Sequence, residues 1–350
     1  LIYCHSPYLS HMNFGAKGSG ISFLLLFLLW LLVPVAMELQ AQAAVREKLC
    51  FVWYNVENLF YPENDTAAGD EEFTPEGPRH WTWSRYRDKL TALAKVIIAS
   101  GRGEPPELVG LCEVENSSVL ADLCTHPILS PYQYSYLHRD SRDHRGMDVA
   151  CLIRKGSMKV LHWESIAFAP PVTRTRDLMF ISISLGSDTL DLFLLHLLSK
   201  YGGAGATAEL RRAQAGQLAA TMDSVFTERQ RGLLMAVGDF NETFQGYAME
   251  PLSLARFGGD SLKVLLPESG SYKYQGRWTP IDQVLVLQSF PAPIRISTLQ
   301  LAPLLTADLE YGGEKPLRCY EGYRYQGGIS DHLPLVIDFC PSFLSVPAAQ

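Results

Sequence analysis

The chain has 350 residues, of which 47% are hydrophobic and 19% are charged. This balance is typical of a globular protein with a sizeable core and excludes an intrinsically disordered chain. The formal net charge of -7 argues against tight, non-specific binding of duplex nucleic acid, which usually requires a basic face.

The N-terminal segment has the layout of a targeting signal. An apolar, uncharged run extends from Ile21 to Met37, after a polar stretch that contains Lys17. The small-x-small sequence at 41–43 follows it. This pattern predicts a secretory signal peptide over residues 1–43, with residues 1–11 as an upstream extension.

The alternative is that the same run is retained as a membrane anchor. Its length is near the lower limit for a bilayer span, and Pro34 interrupts its end. In both cases the rest of the chain is expected to be extracytoplasmic, that is, periplasmic or secreted. After cleavage no stable membrane partner is expected, and the sequence does not indicate an oligomeric state.

Six cysteines follow the signal segment, and there is no CxxC pair. Cys50, Cys112, Cys151 and Cys340 lie in apolar runs, which predicts buried thiols that pack as small hydrophobic groups. Cys319 lies in loop-like surroundings and is expected to be the exception.

Short apolar runs rich in β-branched and aromatic residues predict strands throughout the chain. Two helices are predicted between them, one over 84–100 capped by Ser84 and one over 206–226. Because strands outnumber helices and no linker divides the chain, we expect one layered α/β domain with mixed sheets over 46–343. The predicted strands are 49–55, 107–113, 148–154, 178–185, 190–196, 232–239, 281–287 and 333–339.

Polar side chains cluster where these strands begin or end, and rigid strand ends are suited to holding a catalytic constellation. They are Asn55, Glu57, Glu113, His196, Asp239, Asn241, Asp282, Asp331 and His332.

These residue types suit hydrolysis of a phosphate ester. A hard cation takes carboxylate and carboxamide oxygens, which Glu113 and Asn55 can supply. Asp239 can orient or deprotonate water, and His332 with Asp282 or Asp331 can form an acid–base pair. His196, Asn241 and Arg145 can stabilise the charge of the transition state. Since no covalent nucleophile is evident, direct attack by water is the simpler mechanism.

The motif order resembles the endonuclease/exonuclease/phosphatase superfamily over about residues 49–339. The motifs are NVENLF, LCEVEN, RGMDVACL, the His196–Ser199 stretch, GDFN, IDQV and SDHLPL. Each motif alone is weakly specific, whereas all seven in this order are strongly specific.

The resemblance implies an α/β/β/α sandwich of four layers with two packed mixed β-sheets, as in deoxyribonuclease I. It implies Mg²⁺ or Mn²⁺ bound by Glu113, with Asn55 and Asp331 nearby. It also implies that Asp239 activates water, that Asp282 and His332 form the acid–base pair, and that His196 stabilises the transition state. Asn241 and Arg145 would bind the substrate phosphate.

Two substrate classes remain open at this stage. The acidic net charge favours a small phosphoester, whereas secreted nucleases with similar motifs favour a nucleic acid. A non-catalytic binding protein with the same fold would lack catalytic groups, and none is missing. The loop 320–328, YEGYRYQGG, is interpreted either as a substrate contact or as a packed surface loop, and the aromatic cluster 80–87 as an anchor for a helix start.

Overall fold

In the computed structural model, side chains of the first strand, β1 (Leu49–Leu59), pack alternately on its two faces. Phe51 and Trp53 lie in one apolar cluster, while Val52 and Tyr54 lie in another. Successive strand residues point to opposite faces, so a strand that is apolar throughout must be covered on both sides. Each such side chain contributes about 1.5–3 kcal/mol to stability when it is fully buried.

The second sheet covers one face of β1 and helices cover the other. The first sheet, which includes β1, contains six strands and the second contains seven. In spatial order the first sheet comprises β14 (Ile294–Thr298), β19 (Leu335–Phe339), β1, β2 (Leu108–Val114), β4 (Asp148–Arg154) and β3 (Tyr134–His138). The second comprises β5 (Lys159–Ile166), β6 (Leu178–Leu185), β7 (Asp188–His196), β8 (Leu233–Asp239), β13 (Asp282–Leu287), β10 (Asp260–Leu265) and β9 (Arg256–Phe257).

Helices cover the outer faces of both sheets. The helices are α1 (Trp83–Ser100), α2 (Ser117–Thr125), α3 (Ala204–Arg229) and α4 (Glu250–Leu254). Residues of α1 and α2 pack on the first sheet, residues of α3 and α4 pack on the second, and a third apolar cluster fills the space between the sheets. The fold is therefore the expected four-layered α/β/β/α sandwich.

Three small hairpins complete the described structure. They are β11 (Tyr272–Tyr274) with β12 (Arg277–Thr279), β15 (Leu305–Ala307) with β16 (Glu314–Pro316), and β17 (Tyr320–Glu321) with β18 (Arg324–Tyr325).

The structure describes residues 48–65, 69–172, 174–186, 188–200, 203–229 and 233–340. The predicted signal segment 1–43 lies outside this range. Within this range, none of the helices has the length and apolar character needed to span a bilayer.

The strand predictions were incomplete at the sheet edges. β3, β5, β9 and β14 were missed, and each is an edge strand; β10, which lies between β13 and the two-residue edge strand β9 and is largely partly exposed, was missed as well. An edge strand does not need to be apolar on both faces, so it does not produce an apolar run in the sequence.

Two local predictions were wrong. Thr82, not Ser84, caps α1, because its side chain accepts a hydrogen bond from the backbone N–H of Arg85. The cysteine prediction was wrong in part: Cys319 is buried rather than exposed, because its loop packs on the first sheet, while Cys50 and Cys340 are only partly buried. The helix predicted over 206–226 is longer at both ends, as α3 shows.

Candidate functional site

The sandwich brings the polar strand ends to one edge. β1 runs parallel to β2, and β7 runs parallel to β8, so each pair ends at the same side. In the second sheet His196 pairs with Asp239, and Asp239 pairs with Asp282 across the next strand. Hydrogen-bonded neighbours in a sheet are held at fixed spacing, so these three side chains lie in a row.

Glu113 is aimed by a local departure from regular strand geometry. Its φ is 64°, and the pairing of β2 with β4 shifts register between Cys112 and Val114. Its carboxylate accepts hydrogen bonds from Asn58 N at 2.9 Å and from Asn55 Nδ2 at 3.3 Å. Non-glycine residues rarely adopt positive φ, and such residues concentrate at functional sites.

Asn55 connects two carboxylates. Its Nδ2 lies 3.3 Å from Glu113 Oε1 and 3.1 Å from Asp239 Oδ2. Its Oδ1 accepts a hydrogen bond from Glu57 N at 3.0 Å. In this arrangement Asn55 orients Glu113 and Asp239, and its role as a metal ligand stays a prediction.

Asp239 lies at the centre of the site. Its Oδ2 lies 3.7 Å from His196 Nε2 and 3.7 Å from His332 Nε2, and its Oδ1 accepts a hydrogen bond from Asn241 N at 2.8 Å. Burial, followed by the nearby charge of Asp282, raises the pKa of Asp239 to about 7, although His332 opposes the shift. A carboxylate with a pKa near neutrality is suited to accept a proton.

His332 is held by Asp282. The Nδ1 of His332 lies 2.6 Å from Asp282 Oδ2, and that same oxygen accepts a hydrogen bond from Ser271. Asp282 Oδ1 accepts from Trp53 Nε1 at 2.9 Å. Burial opposes the charged imidazole, but Asp282 and Asp239 together raise the pKa of His332 well above its ordinary value.

His196 has the opposite environment. Burial lowers the pKa of His196 well below its ordinary value, and Arg176 and Arg145 lower it further. Arg176 Nη2 lies 3.3 Å from His196 Nε2. The site therefore holds one neutral and one charged imidazole on either side of Asp239.

Two arginines meet at Asp143. Arg176 Nε lies 3.6 Å from one carboxylate oxygen of Asp143, and Arg145 Nε lies 3.8 Å from the other. Arg176 and Asp143 are buried, whereas the side chain of Arg145 is 38% exposed. Asp143 thus places two guanidinium groups beside His196.

A third arginine, Arg318, also lines the cleft. Arg318 Nη2 lies 3.0 Å from Glu57 Oε1 and 3.1 Å from Asp331 Oδ2. The other oxygen of Glu57 accepts from Cys319 N at 2.8 Å. Both oxygens of Glu57 thus accept hydrogen bonds, and Glu57 holds Arg318 at the cleft.

The donors at the site fit a hard divalent cation. Glu113 is partly exposed and pairs with no lysine or arginine in the described part of the chain. Asp331 uses Oδ2 for Arg318, while its Oδ1 has no hydrogen bond to any described residue. Two carboxylates with free lone pairs at one cleft are the ligands that Mg²⁺ and Mn²⁺ prefer.

Two further groups have ligand atoms within 4.8 Å of one another. Asp239, Asp282 and His332 form the first, but the Nδ1 of His332 is already bonded to Asp282. The second comprises His138, Asp140 and Asp148, where His138 Nε2 pairs with Asp148 at 3.2 Å. Neither includes Glu113, the residue predicted from the sequence.

All the predicted site residues meet at a cleft of about 860 Å³. Asp282 is buried behind His332, with 1% exposure, and the other predicted residues line the cleft directly. Those residues are Asn55, Glu113, Arg145, His196, Asp239, Asn241, Asp331 and His332.

Sequence reasoning missed Arg176, Arg318 and Tyr272, which also line the cleft. Arg176 lies two residues before β6, and β6 pairs antiparallel with β7, which ends at His196. A hairpin of two consecutive strands places a residue just before the first strand beside the end of the second, so this signal was present. Arg318 and Tyr272 lie in segments without an apolar pattern, and we find no sequence signal for them.

The aromatic residues of the two segments do not line the cleft. Trp81 and Tyr86 are buried and Trp81 Nε1 donates to Phe60 O at 2.8 Å, which confirms that the cluster 80–87 anchors α1. None of the residues 320–328 lines the cleft. Tyr320 is instead buried, and its hydroxyl donates to Arg79 O at 2.9 Å.

Three solved structures, each from a different organism, have the same fold as this chain. Caenorhabditis elegans TDP2 is 14% identical with a TM-score of 0.52, and the match covers 84% of this chain and 75% of that one. The human Nocturnin catalytic domain with bound sulfate is 17% identical with a TM-score of 0.52, over 84% and 94% of the two chains. An endonuclease/exonuclease/phosphatase from Bacteroides vulgatus is 14% identical with a TM-score of 0.52, over 83% and 98%.

The sequence itself gives the family. No curated protein matches it. The model of the endonuclease/exonuclease/phosphatase family, however, matches residues 50–340, which include every site residue described above. Members of this family are typically metal-dependent phosphoester hydrolases. The chain therefore belongs to the endonuclease/exonuclease/phosphatase family.

Proposed function

We propose that the chain is an exported phosphoesterase that depends on Mg²⁺ or Mn²⁺ and cleaves phosphodiester bonds by direct attack of water. The surroundings of Asp239 carry this proposal. Its Oδ2 is contacted by Asn55 from β1, by His196 from β7 and by His332 from the segment before β19. A carboxylate with a purely structural role would need only one hydrogen-bond donor, whereas Asp239 has two histidines beside it from distant parts of the chain.

Water attack follows from the groups present. A water that contacts both Asp239 Oδ2 and His332 Nε2, which lie 3.7 Å apart, is positioned for attack on phosphorus. The water oxygen bonds to phosphorus as the ester P–O bond breaks. Asp239 takes the proton of the water, and the leaving oxygen takes a proton from solvent in the cleft. The cysteines do not compete, because burial raises the pKa of Cys112 and of Cys319.

The remaining groups stabilise charge. Asp282 holds His332 charged beside the reacting phosphoryl group, and the partly exposed guanidinium of Arg145 is a further cation at the cleft. The Nδ2 of Asn241 donates to Leu197 O at 3.0 Å, which fixes this amide at the cleft wall. A divalent cation held by Glu113 and Asp331 would neutralise negative charge on the phosphoryl oxygens.

A small-molecule phosphatase of the inositol- or sugar-phosphate type is the second candidate. The net charge of -7 favours it, since a long nucleic acid is repelled by an acidic surface.

The deciding experiment uses purified protein from residue 44 onward with Mg²⁺ or Mn²⁺, and EDTA as the control. Bis-p-nitrophenyl phosphate, plasmid DNA, RNA and p-nitrophenyl phosphate are tested in parallel. We expect metal-dependent cleavage of the diester, with Asp239→Asn and His332→Ala inactive but folded. Cleavage of monoesters alone favours the phosphatase, and silence on all four substrates refutes phosphoesterase activity.

Export rests on the apolar run 21–37 and is tested separately. Expression of the full chain with a C-terminal tag should give a product outside the cytoplasm whose intact mass corresponds to cleavage after residue 43. A cytoplasmic, full-length product would contradict export.

A further inference from the structure

A second cavity, of about 360 Å³, adjoins the catalytic cleft. The two cavities share part of their walls, so a group attached to a phosphate in the cleft can extend into the second cavity. The shared residues are Tyr272, Tyr274, Arg318 and Asp331.

Two hairpins of the chain build this cavity and are fastened to one another. Lys273, in β11, lies with its Nζ 2.8 Å from Asp308 Oδ2 and donates to Gly312 O at 2.7 Å. The side chain of Lys273 is only 4% exposed. Gly276 packs against Tyr311 so closely that a Cβ on Gly276 would lie 2.8 Å from the Cβ of Tyr311. The cavity is therefore fixed by the fold.

Its walls present aromatic rings to solvent. Tyr274 is 60% exposed and Tyr311 is 50% exposed, and the hydroxyl of Tyr311 hydrogen-bonds to the neighbouring Glu310. The backbone N–H of Tyr311 donates to Asp308 Oδ1 at 3.1 Å, and Asp308 is held by Lys273. A tyrosine ring on a fixed turn is a platform on which a planar group can stack at small entropic cost.

The charges of the cavity exclude a second phosphate. Each of its three basic side chains already faces a carboxylate: Lys273 pairs with Asp308, Lys315 with Glu321 at 3.4 Å, and Arg318 with Asp331. Glu310 adds a further, exposed carboxylate. An uncharged ring that carries N–H or O–H donors suits these acceptors, and an anion does not.

We infer that the second cavity is a subsite for the nucleoside part of a nucleotide ester whose phosphate lies in the cleft. The inference rests on the proposed function and adds the substrate class: an ester of one phosphate with an uncharged, base-bearing group. Tyr311 is the specificity residue, since it lines the second cavity but not the cleft.

The test compares two diesters with the same leaving group and charge, thymidine 5′-(p-nitrophenyl phosphate) and methyl p-nitrophenyl phosphate. We expect the wild type to have at least about tenfold higher kcat/KM for the nucleoside ester. Tyr311→Ala should bring the ratio to about one, whereas Tyr311→Phe, which keeps the ring, should retain it. Tyr323→Ala is the matched control, because Tyr323 is 59% exposed and lines neither cavity. Equal rates in the wild type, or a preference that persists in Tyr311→Ala, overturn the subsite.

A binding measurement separates this inference from the proposed function. Adenosine 5′-monophosphate and ribose 5-phosphate differ only by the base, and their affinities can be measured by calorimetry in EDTA without turnover. We expect the nucleotide to bind at least about tenfold more tightly, with the difference lost in Tyr311→Ala. Equal affinities overturn the subsite even if both diesters are cleaved. Absence of turnover with base-dependent binding refutes the proposed function alone.

Discussion

The imidazole of His332 is fixed by Asp282, with 2.6 Å between Nδ1 and Oδ2. Asp282 begins β13 of the second sheet, whereas His332 lies three residues before β19 of the first sheet. This hydrogen bond therefore joins the two sheets at the active edge and leaves Nε2 of His332 facing Asp239.

Removal of the Asp282 charge is expected to disable the site without unfolding it. Asp282→Asn keeps an acceptor for Trp53 but no longer stabilises a charged His332, so kcat should fall about 10²- to 10⁴-fold. The measurement is steady-state hydrolysis of bis-p-nitrophenyl phosphate, with thermal melting to confirm folding. Asp338→Asn is the control, because Asp338 is also a buried carboxylate but pairs with Lys48 and Arg102 away from the cleft. Equal losses in the two variants would contradict the assignment.

Metal affinity should depend on Glu113. Glu113→Gln removes one charged ligand, and we expect binding of Mn²⁺ to weaken about 10- to 100-fold, a range typical of changes around a metal site. Isothermal titration calorimetry with the metal alone measures this without substrate. Glu164→Gln, an exposed carboxylate on β5, removes the same charge and should leave the affinity within about threefold. Unchanged affinity in Glu113→Gln would remove this residue from the metal site.

Arg145 is expected to act in substrate binding. Its side chain is partly exposed at the cleft, so Arg145→Met should raise KM about tenfold, which corresponds to about 1.4 kcal/mol. The neighbouring Arg142 is exposed and does not line the cleft, and Arg142→Met should leave KM unchanged. If both variants raise KM equally, the effect is one of general charge, and increasing salt concentration should then reduce it.

Stability should depend on pH through Glu115. Burial, with Asp70 and Asp65 nearby, raises the pKa of Glu115 from 4.5 to about 8, although the N–H of Tyr61 opposes the shift. Asp70 Oδ1 and Glu115 Oε1 are both buried without a donor, and one shared proton would satisfy both. The folded state thus binds more protons than the unfolded state between these pH values.

The stabilisation from this proton is present below pH 4.5 and is lost as the pH rises through about 8. Glu115→Gln cannot titrate, so its free energy of unfolding should increase relative to that of the wild type between pH 5 and pH 9, because the wild type alone loses stability over this range. Urea unfolding in EDTA measures this difference. A difference that is constant with pH would show that Glu115 is ionised throughout.

The strands that are buried on both faces could be predicted from sequence, and the motifs whose residues line the cleft could be predicted with them. The runs that became β1, β2, β4 and β6 are apolar because both of their faces are covered. Asn55, Glu113, His196 and Asp239 interrupt this apolar pattern at strand ends, so they were visible as candidates. Edge strands such as β5 face solvent and gave no such pattern.

The sequence by itself determined the family, because the order of the motifs is a property of the linear chain. It also determined the layered fold class and the polar residues at strand ends, because a strand buried on both faces is a continuous apolar run. Tertiary structure alone decided which groups those residues meet. Arg318 reaches Glu57 and Asp331 from a loop with no periodic pattern, and Lys273 fastens one hairpin to another through Asp308. Such contacts form between segments that are far apart in the chain. The spacing of residues within one segment does not predict which distant segment it will contact.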